Sequence, residues 1–139
     1  MPDPTPETAR IANDPVAIQR VRDRLVTLLQ HQGFSDSETF AVRLAFEEAI
    51  SNAFRHGHCS LPTPQPVEVS LRATEREVWI AVQDAGPGFD PRSIPDPTAE
   101  QNLEKPSGRG LMLMRAYMTE VRYVGRGNRV EMTYRRSPP

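Results

Sequence analysis

Two short runs with large aliphatic residues at every second position limit the folds open to this chain. Val67, Val69 and Leu71 alternate with polar residues, and Val78, Ile80 and Val82 repeat the spacing after a turn at 74–76. Period-two alternation gives a strand one apolar and one polar face, and two such strands joined by a short turn predict an antiparallel hairpin. The apolar face of that hairpin needs a second layer to cover it.

An amphipathic helix upstream of the hairpin supplies part of that layer. Asp14 as N-cap with Pro15 at the first helical position is a start signal, and apolar residues follow at helical spacing until Gly33. Residues 1–13 carry three prolines and few apolar side chains. We therefore expect a flexible N-terminal arm over 1–13 and a single domain over 14–136.

A second amphipathic helix follows the first directly. It starts at Ser35 or Ser37, and Glu38 is placed to close a capping box on Ser35. Its apolar pattern continues to Gly57, which predicts a helix of about 20 residues.

The part of the chain after the hairpin is less regular. A proline-rich loop over 90–107 precedes a short helix over 111–117, and two further strands are predicted near 121–124 and 130–134. The fold class predicted from these elements is α+β. It is a two-layer sandwich with helices on one face of a mixed, mainly antiparallel sheet.

Composition narrows the classes of function. Seventeen Lys and Arg against eighteen Asp and Glu leave a net charge of −1, so no overall field attracts nucleic acid or an anionic membrane. No apolar run approaches the roughly 20 residues that span a bilayer, and the first residues lack the features of a signal peptide. We expect a cytoplasmic protein without a nucleic-acid or membrane partner. The single cysteine, Cys59, excludes an internal disulfide.

Adjacent acids in the second predicted helix differ in their surroundings. At about 100° per residue, Glu47 faces water and is predicted to pair with Arg43, one helical turn before it. Glu48 and Asn52 lie together at the border of the apolar stripe. A partly desolvated carboxylate has a raised proton affinity, which suits a general base. A structural hydrogen-bonded pair is an equally good interpretation of this placement.

The second predicted strand of the hairpin ends in the sequence DAGPGF at residues 84–89. Asp84 offers a carboxylate where the strand stops, and Gly86 and Gly88 permit close backbone approaches. Such a stretch fits a ligand-binding loop, and it fits an ordinary turn as well.

A glycine pair also precedes the short helix predicted at 111–117. The free N–H groups at such a helix start favour an anion such as phosphate, and Arg109 between Gly108 and Gly110 is placed to approach its oxygens. The alternative is a flexible helix start. The spacing fits neither the phosphate-loop nor the Rossmann glycine pattern, and motifs of serine hydrolases and zinc proteases are absent from the sequence.

Taken in order, the motifs E-A-x-x-N-A-x-x-H-G, D-x-G-x-G-F and G-x-G-L-x-L-M resemble a known family. They resemble the GHKL nucleotide-binding fold shared by the ATPase domains of gyrase, the heat-shock chaperone, mismatch-repair proteins and histidine kinases. The likeness is greatest to its small bacterial branch, the anti-sigma-factor serine/threonine kinases. It runs from about Asp14 to Arg136 and implies a Bergerat-type ATP-binding fold.

The resemblance implies roles for the matching residues. Glu48 matches the catalytic base, and Asn52 matches the Mg²⁺ ligand that holds the ATP phosphates. Asp84 matches the acid that accepts the adenine amino group, with Gly86 and Gly88 shaping the pocket beneath it.

The remaining matches concern both ends of the nucleotide. Gly108 and Gly110 match the lid glycines over the phosphates, with Arg109 between them as a further cofactor-binding candidate. Thr133 resembles the threonine of the last strand that supports the adenine site.

The activity implied by the resemblance is phosphotransfer from ATP, with Mg²⁺, to a serine or threonine. The acceptor would be a small STAS-type anti-anti-sigma protein, and a sigma factor would be regulated by partner switching. A homodimer is also implied. The alternative is a nucleotide-gated protein-binding module without significant kinase activity, and a purely structural interaction domain would leave the motifs as coincidence.

Overall fold

The computed structural model describes residues 4–57, 64–86, 114–125 and 127–136. Its elements in chain order are β1 (Glu7–Ile11), α1 (Pro15–His31), α2 (Asp36–Asn52), a π-helical turn (Ala53–Gly57), β2 (Val67–Ala73), β3 (Glu77–Gln83), β4 (Glu120–Val124) and β5 (Arg129–Arg135). Residues 114–117 are also helical. The predicted loop over 90–107 lies outside the described residues.

The five strands form one antiparallel sheet in the order β1-β2-β3-β5-β4. Its register pairs Ile80 of β3 with Leu71 of β2 and with Met132 of β5, and all three side chains are buried under the helices. The predicted hairpin and the α+β fold class are therefore confirmed. The opposite face of the sheet carries mostly polar and charged side chains, as an uncovered antiparallel face does.

The ends of α1 follow the predicted signals. The Asp14 side chain accepts a hydrogen bond from the Ala17 N–H at 3.1 Å. At the other end Gly33 has a φ of +82°, and the Phe34 N–H reaches back to the Leu29 carbonyl at 3.0 Å. This arrangement satisfies a terminal carbonyl and stops the helix where a residue other than glycine would be strained.

The start of α2 contains the predicted capping box. The Ser35 N–H donates to Glu38 Oε1 at 2.9 Å, and the Glu38 N–H donates to Ser35 Oγ at 3.1 Å. The helical path continues beyond Asn52 as a π-helical turn and ends at Gly57, as predicted.

The N-terminal residues differ from the prediction of a flexible arm over 1–13. Residues Glu7–Ile11 form β1, an edge strand paired with β2, and Thr8 hydrogen-bonds Ser70 at 3.0 Å. Only Ile11 of this strand is buried. The strand is held mainly by backbone pairing, which needs no apolar pattern in the sequence.

The core lies between the sheet and the two helices. The helices contribute the buried stripes Val21, Leu25 and Leu29 from α1 and Val42, Ala45, Phe46, Ala49 and Ile50 from α2. Each large side chain buried in this way contributes about 1.5–3 kcal/mol. The stripe fixes the rotation of α2 about its axis and thereby decides which side chains stand at its edge. Within the described segments, no helix is long and apolar enough to cross a membrane.

Candidate functional site

Glu48 and Asn52 project from the same edge of α2. They are four residues apart, and both are half-buried beside Ala49 and Ile50, which are 2% and 3% exposed. Within the described part of the chain, neither side chain makes a hydrogen bond or an ion pair. A carboxylate and an amide at the border of the core are thus available to a ligand.

Glu47 is bound to a different partner from the one predicted. It forms an ion pair with Arg22 of α1 at 3.1 Å, whereas Arg43 stacks over the Phe40 ring at 5.5 Å. The prediction of Arg43 as the partner rested on spacing within α2 alone. The packing of α1 against α2 brings the Arg22 guanidinium to Glu47 instead. The contrast with Glu48 remains, because Glu47 is occupied in joining α1 to α2.

The backbone changes from α-helical to π-helical directly after Asn52. The Ala53 N–H is shared between the carbonyls of Ala49 and Ile50, where the wider turn begins. Single π-helical turns within helices are frequent at functional sites. No motif of the sequence predicts this turn, which ends the edge that carries Glu48 and Asn52.

Asp84 follows the last residue of β3 and is held at several points. Its Oδ1 accepts the Gly86 N–H at 2.7 Å, so residues 84–86 form a tight turn closed by the carboxylate itself. Its own N–H donates to the Asn128 carbonyl at 2.9 Å, and the Asn128 side-chain amide donates to the Asp84 carbonyl at 3.0 Å. The end of β3 is thereby tied to the turn between β4 and β5.

Tyr123 of β4 lies on the side of the sheet that the helices cover and interacts electrostatically with Asp84. Burial raises the pKa of Tyr123 to about 12, an effect that Arg115 opposes and that Asp84 reinforces. The phenol therefore stays neutral at physiological pH. At this end of the sheet, the Asp84 carboxylate and the exposed Arg115 guanidinium thus both act on the half-buried Tyr123 phenol.

Asp84 and the α2 edge belong to the same side of the sheet. Asp84 stands two positions after the buried Val82, and its bond to Asn128 extends the β3–β5 ladder by one step. Its side chain therefore begins on the side that α2 covers.

Thr133 is not brought to that side. Its register partners are Trp79 and Glu120, which lie on the uncovered face of the sheet, where a cavity of about 470 Å³ is lined in part by Trp79 and Thr133. The neighbouring Met132 is the residue that faces the helices. The predicted residues Gly88, Gly108, Arg109 and Gly110 lie outside the described residues.

The α2 edge suits a divalent cation that is bound mainly through a ligand. Among the described residues there is no cluster of three or more His, Cys, Asp and Glu side chains that could hold a metal by itself. Mg²⁺ prefers oxygen donors and is commonly held by one or two protein groups together with phosphate oxygens. The unpaired amide of Asn52 can supply such an oxygen.

Comparisons with known proteins show the family of this chain. A family model for the histidine kinase-like ATPase domain matches residues 11–134. The serine/threonine-protein kinase BtrW of Bordetella bronchiseptica is 33% identical over 107 residues, which cover 71% of this chain and 72% of that protein.

The fold also matches a solved structure. A crystal structure of the RsbU and RsbW domains of a Mycobacterium tuberculosis protein superposes with a TM-score of 0.64 at 20% identity. The match covers 95% of this chain and 32% of that one, so this chain spans about a third of the larger protein. The likeness at this identity concerns the fold.

Proposed function

The chain belongs to the histidine kinase-like ATPase domain family, and from that premise we propose that it is an ATP-dependent serine/threonine protein kinase of the anti-sigma-factor type. The observation that carries the proposal is the placement of Glu48 and Asn52 at one edge of α2, on the same side of the sheet as Asp84. A base and a magnesium ligand are groups that phosphoryl transfer from ATP uses, and an acceptor for the adenine amino group adds recognition of the nucleotide.

Each of the three groups has one task in this proposal. Glu48, which is half-buried, accepts the proton of the acceptor hydroxyl as that oxygen attacks the γ-phosphorus. The bond between the γ-phosphorus and the bridging oxygen of ADP breaks as the new bond forms, and ADP is the leaving group. Asn52 holds the magnesium ion, which neutralises charge on the phosphates when it is bound. Asp84 accepts the adenine amino group, and Gly86 beneath it leaves room for the base.

The glycine motifs outside the described residues complete the proposed site. Gly88 extends the adenine loop, and Gly108, Arg109 and Gly110 cover the phosphates. Thr133 is left out of the proposed pocket, because its register places it on the uncovered face of the sheet.

The acceptor in this proposal is a small STAS-type anti-anti-sigma protein, and its phosphorylation controls the release of a sigma factor. The name of the Bordetella relative supports a serine or threonine acceptor. The likeness to a structure with RsbU and RsbW domains supports a regulatory setting. We further propose that the protein acts as a homodimer in the cytoplasm.

A pair of neighbouring variants tests the catalytic assignment. Purified protein is incubated with magnesium-ATP and a candidate STAS partner, and the initial rate of phosphoserine or phosphothreonine formation is measured. Glu48→Gln is expected to lower the rate by roughly 10²- to 10⁴-fold, the usual contribution of a general base. Glu47→Gln is the matched control, because it removes an adjacent carboxylate that faces Arg22.

The outcomes separate the competing functions. Transfer that survives Glu48→Gln undiminished contradicts the role of Glu48 as base. ATP binding without transfer to any STAS partner would favour a nucleotide-gated binding module, and absence of ATP binding would contradict the proposed function as a whole.

A further inference from the structure

We propose that Asn128 is the positioning residue for Asp84, and that it sets how strongly the site prefers adenine over other bases. This inference rests on the proposed function, because it assigns a residue to the adenine end of the same site. Asn128 belongs to the turn between β4 and β5, and it contacts Asp84 rather than the nucleotide.

Sheet order brings the two residues together. β5 lies between β3 and β4, so the turn that joins β4 to β5 stands beside the end of β3. The last register pair of the ladder is Gln83 with Arg129, which makes Asp84 and Asn128 the next facing positions. Their separation by 44 positions in the sequence hides this proximity.

The contact between Asn128 and Asp84 holds the backbone from both sides. The Asp84 N–H donates to the Asn128 carbonyl at 2.9 Å, as in a continued ladder. The returning bond comes from the Asn128 side-chain amide, which donates to the Asp84 carbonyl at 3.0 Å. The side chain thus extends the pairing one step beyond the last register pair of the ladder.

Burial makes this contact obligatory for the native state. Asn128 is 8% exposed, and a buried amide needs its hydrogen-bond partners. The turn that presents it contains Gly125 with a φ of +62° and Gly127 with a φ of +88°. Left-handed backbone at both glycines shapes the turn so that Asn128 reaches Asp84.

The position of the Asp84 carboxylate depends on the backbone that Asn128 holds. Oδ1 is bound to the Gly86 N–H at 2.7 Å, so the orientation of the carboxylate follows the conformation of residues 84–86. Loosening the Asp84 carbonyl would let this short turn open. The carboxylate would then lose its fixed direction toward the exocyclic amine of adenine.

Base preference distinguishes positioning from simple stabilisation. ATP carries an exocyclic amine that can donate to Asp84, whereas ITP has a carbonyl oxygen in the same place. The ratio of the Kd for magnesium-ITP to the Kd for magnesium-ATP therefore measures the alignment of the carboxylate. Calorimetric titration gives both constants for the wild type and for each variant.

Asn128→Ala is expected to lower that ratio by roughly three- to tenfold, the value of one well-aligned hydrogen bond. Val78→Ala is the matched control, since Val78 is fully buried in β3 at the far end from Asp84. It should lower the melting temperature and leave the ratio unchanged. An unchanged ratio in Asn128→Ala, or an equal loss in Val78→Ala, overturns the inference.

Hydrogen exchange of the Gly86 amide gives a second readout that needs no nucleotide. In Asn128→Ala this amide should exchange faster than the loss of global stability explains, while in Val78→Ala it should follow global stability alone. If the wild type binds neither nucleotide, the proposed function is contradicted, and Gly86 exchange still decides the role of Asn128. Exchange that follows global stability in both variants overturns that role.

Discussion

Replacing Glu38 should destabilise the protein in a way that depends on pH. The Glu38 side chain joins the start of α2 to the end of β5. Its Oε1 accepts the Ser35 N–H at 2.9 Å, and its Oε2 accepts Tyr134 OH at 3.0 Å and Arg136 Nε at 3.2 Å. Arg136 in turn lies over the Phe34 ring at 4.8 Å. One carboxylate therefore satisfies three donors from two elements.

The expected magnitudes follow from those three bonds. Glu38→Gln keeps an acceptor for Ser35 but loses the charge that faces Arg136, and the difference between a charged and a neutral hydrogen bond is about 1 kcal/mol. Glu38→Ala removes all three bonds and should cost about 2–3 kcal/mol, because Tyr134 and Arg136 are partly exposed and can rehydrate. The exposed Glu75→Gln is the control and should change little.

The pH dependence has a definite sign. Burial raises the pKa of Glu38, but the hydrogen bonds from Ser35 and Tyr134 and the charge of Arg136 outweigh it, so the pKa lies below its ordinary value of 4.5. A depressed carboxyl pKa stabilises the folded state above the unfolded pKa, and this contribution is lost as the pH falls through the folded pKa. The stability gap between wild type and Glu38→Gln should therefore be full at pH 7 and close below pH 4.5.

Urea unfolding followed by circular dichroism between pH 7 and pH 3.5 measures this gap. A Glu38→Gln variant as stable as the wild type at pH 7 would refute the reasoning. A gap that stays constant as the pH falls would refute it as well, since it would show that the charge of Glu38 contributes nothing.

Two further predictions concern Tyr123 and Gly33. Since burial raises the pKa of Tyr123 to about 12, against about 10 in the unfolded chain, stability should fall between pH 10 and pH 12, and Tyr123→Phe should remove part of that fall. Denaturant unfolding over this range checks the slope, and an identical slope in both proteins would contradict the assignment. Gly33→Ala should cost about 1–2 kcal/mol in thermal unfolding, because Gly33 has a φ of +82° although a Cβ there would meet no atom within 4 Å. An unchanged melting temperature would show that the left-handed turn is not required.

Local signals in the sequence predicted most of the helical layer. Asp14, Ser35 and Gly33 act within a few residues of themselves, so their capping roles depend little on the remainder of the fold. The two strands of the hairpin were also predicted, because burial of one face gives each strand an apolar residue at every second position. The strand β1 was missed, because its exposed residues carry no alternation and its pairing uses backbone groups that every residue has.

Contacts between distant residues were harder to predict. The pairing of Glu47 with Arg22 needs the packing of α1 against α2, which no single-helix pattern contains. The contact between Asn128 and Asp84 was not predicted either, because it depends on strand order. The face of Thr133 could have been read from the sequence, since Val130 and Met132 are the alternating apolar residues of that strand.

Calorimetric titration with magnesium-ATP tests the central claim most directly. The claim is that the edge of α2 and the end of β3 form one nucleotide site, with Asn52 at the phosphates and Asp84 at the adenine. The wild type should bind ATP in a magnesium-dependent manner. Asp84→Asn should weaken binding by roughly tenfold or more, as loss of a hydrogen bond to a charged group does. Asn52→Ala should also weaken binding, because it removes a ligand of the magnesium ion. Both variants should remain folded. A wild-type protein that binds no ATP, or variants that bind it as tightly as the wild type, would contradict the account.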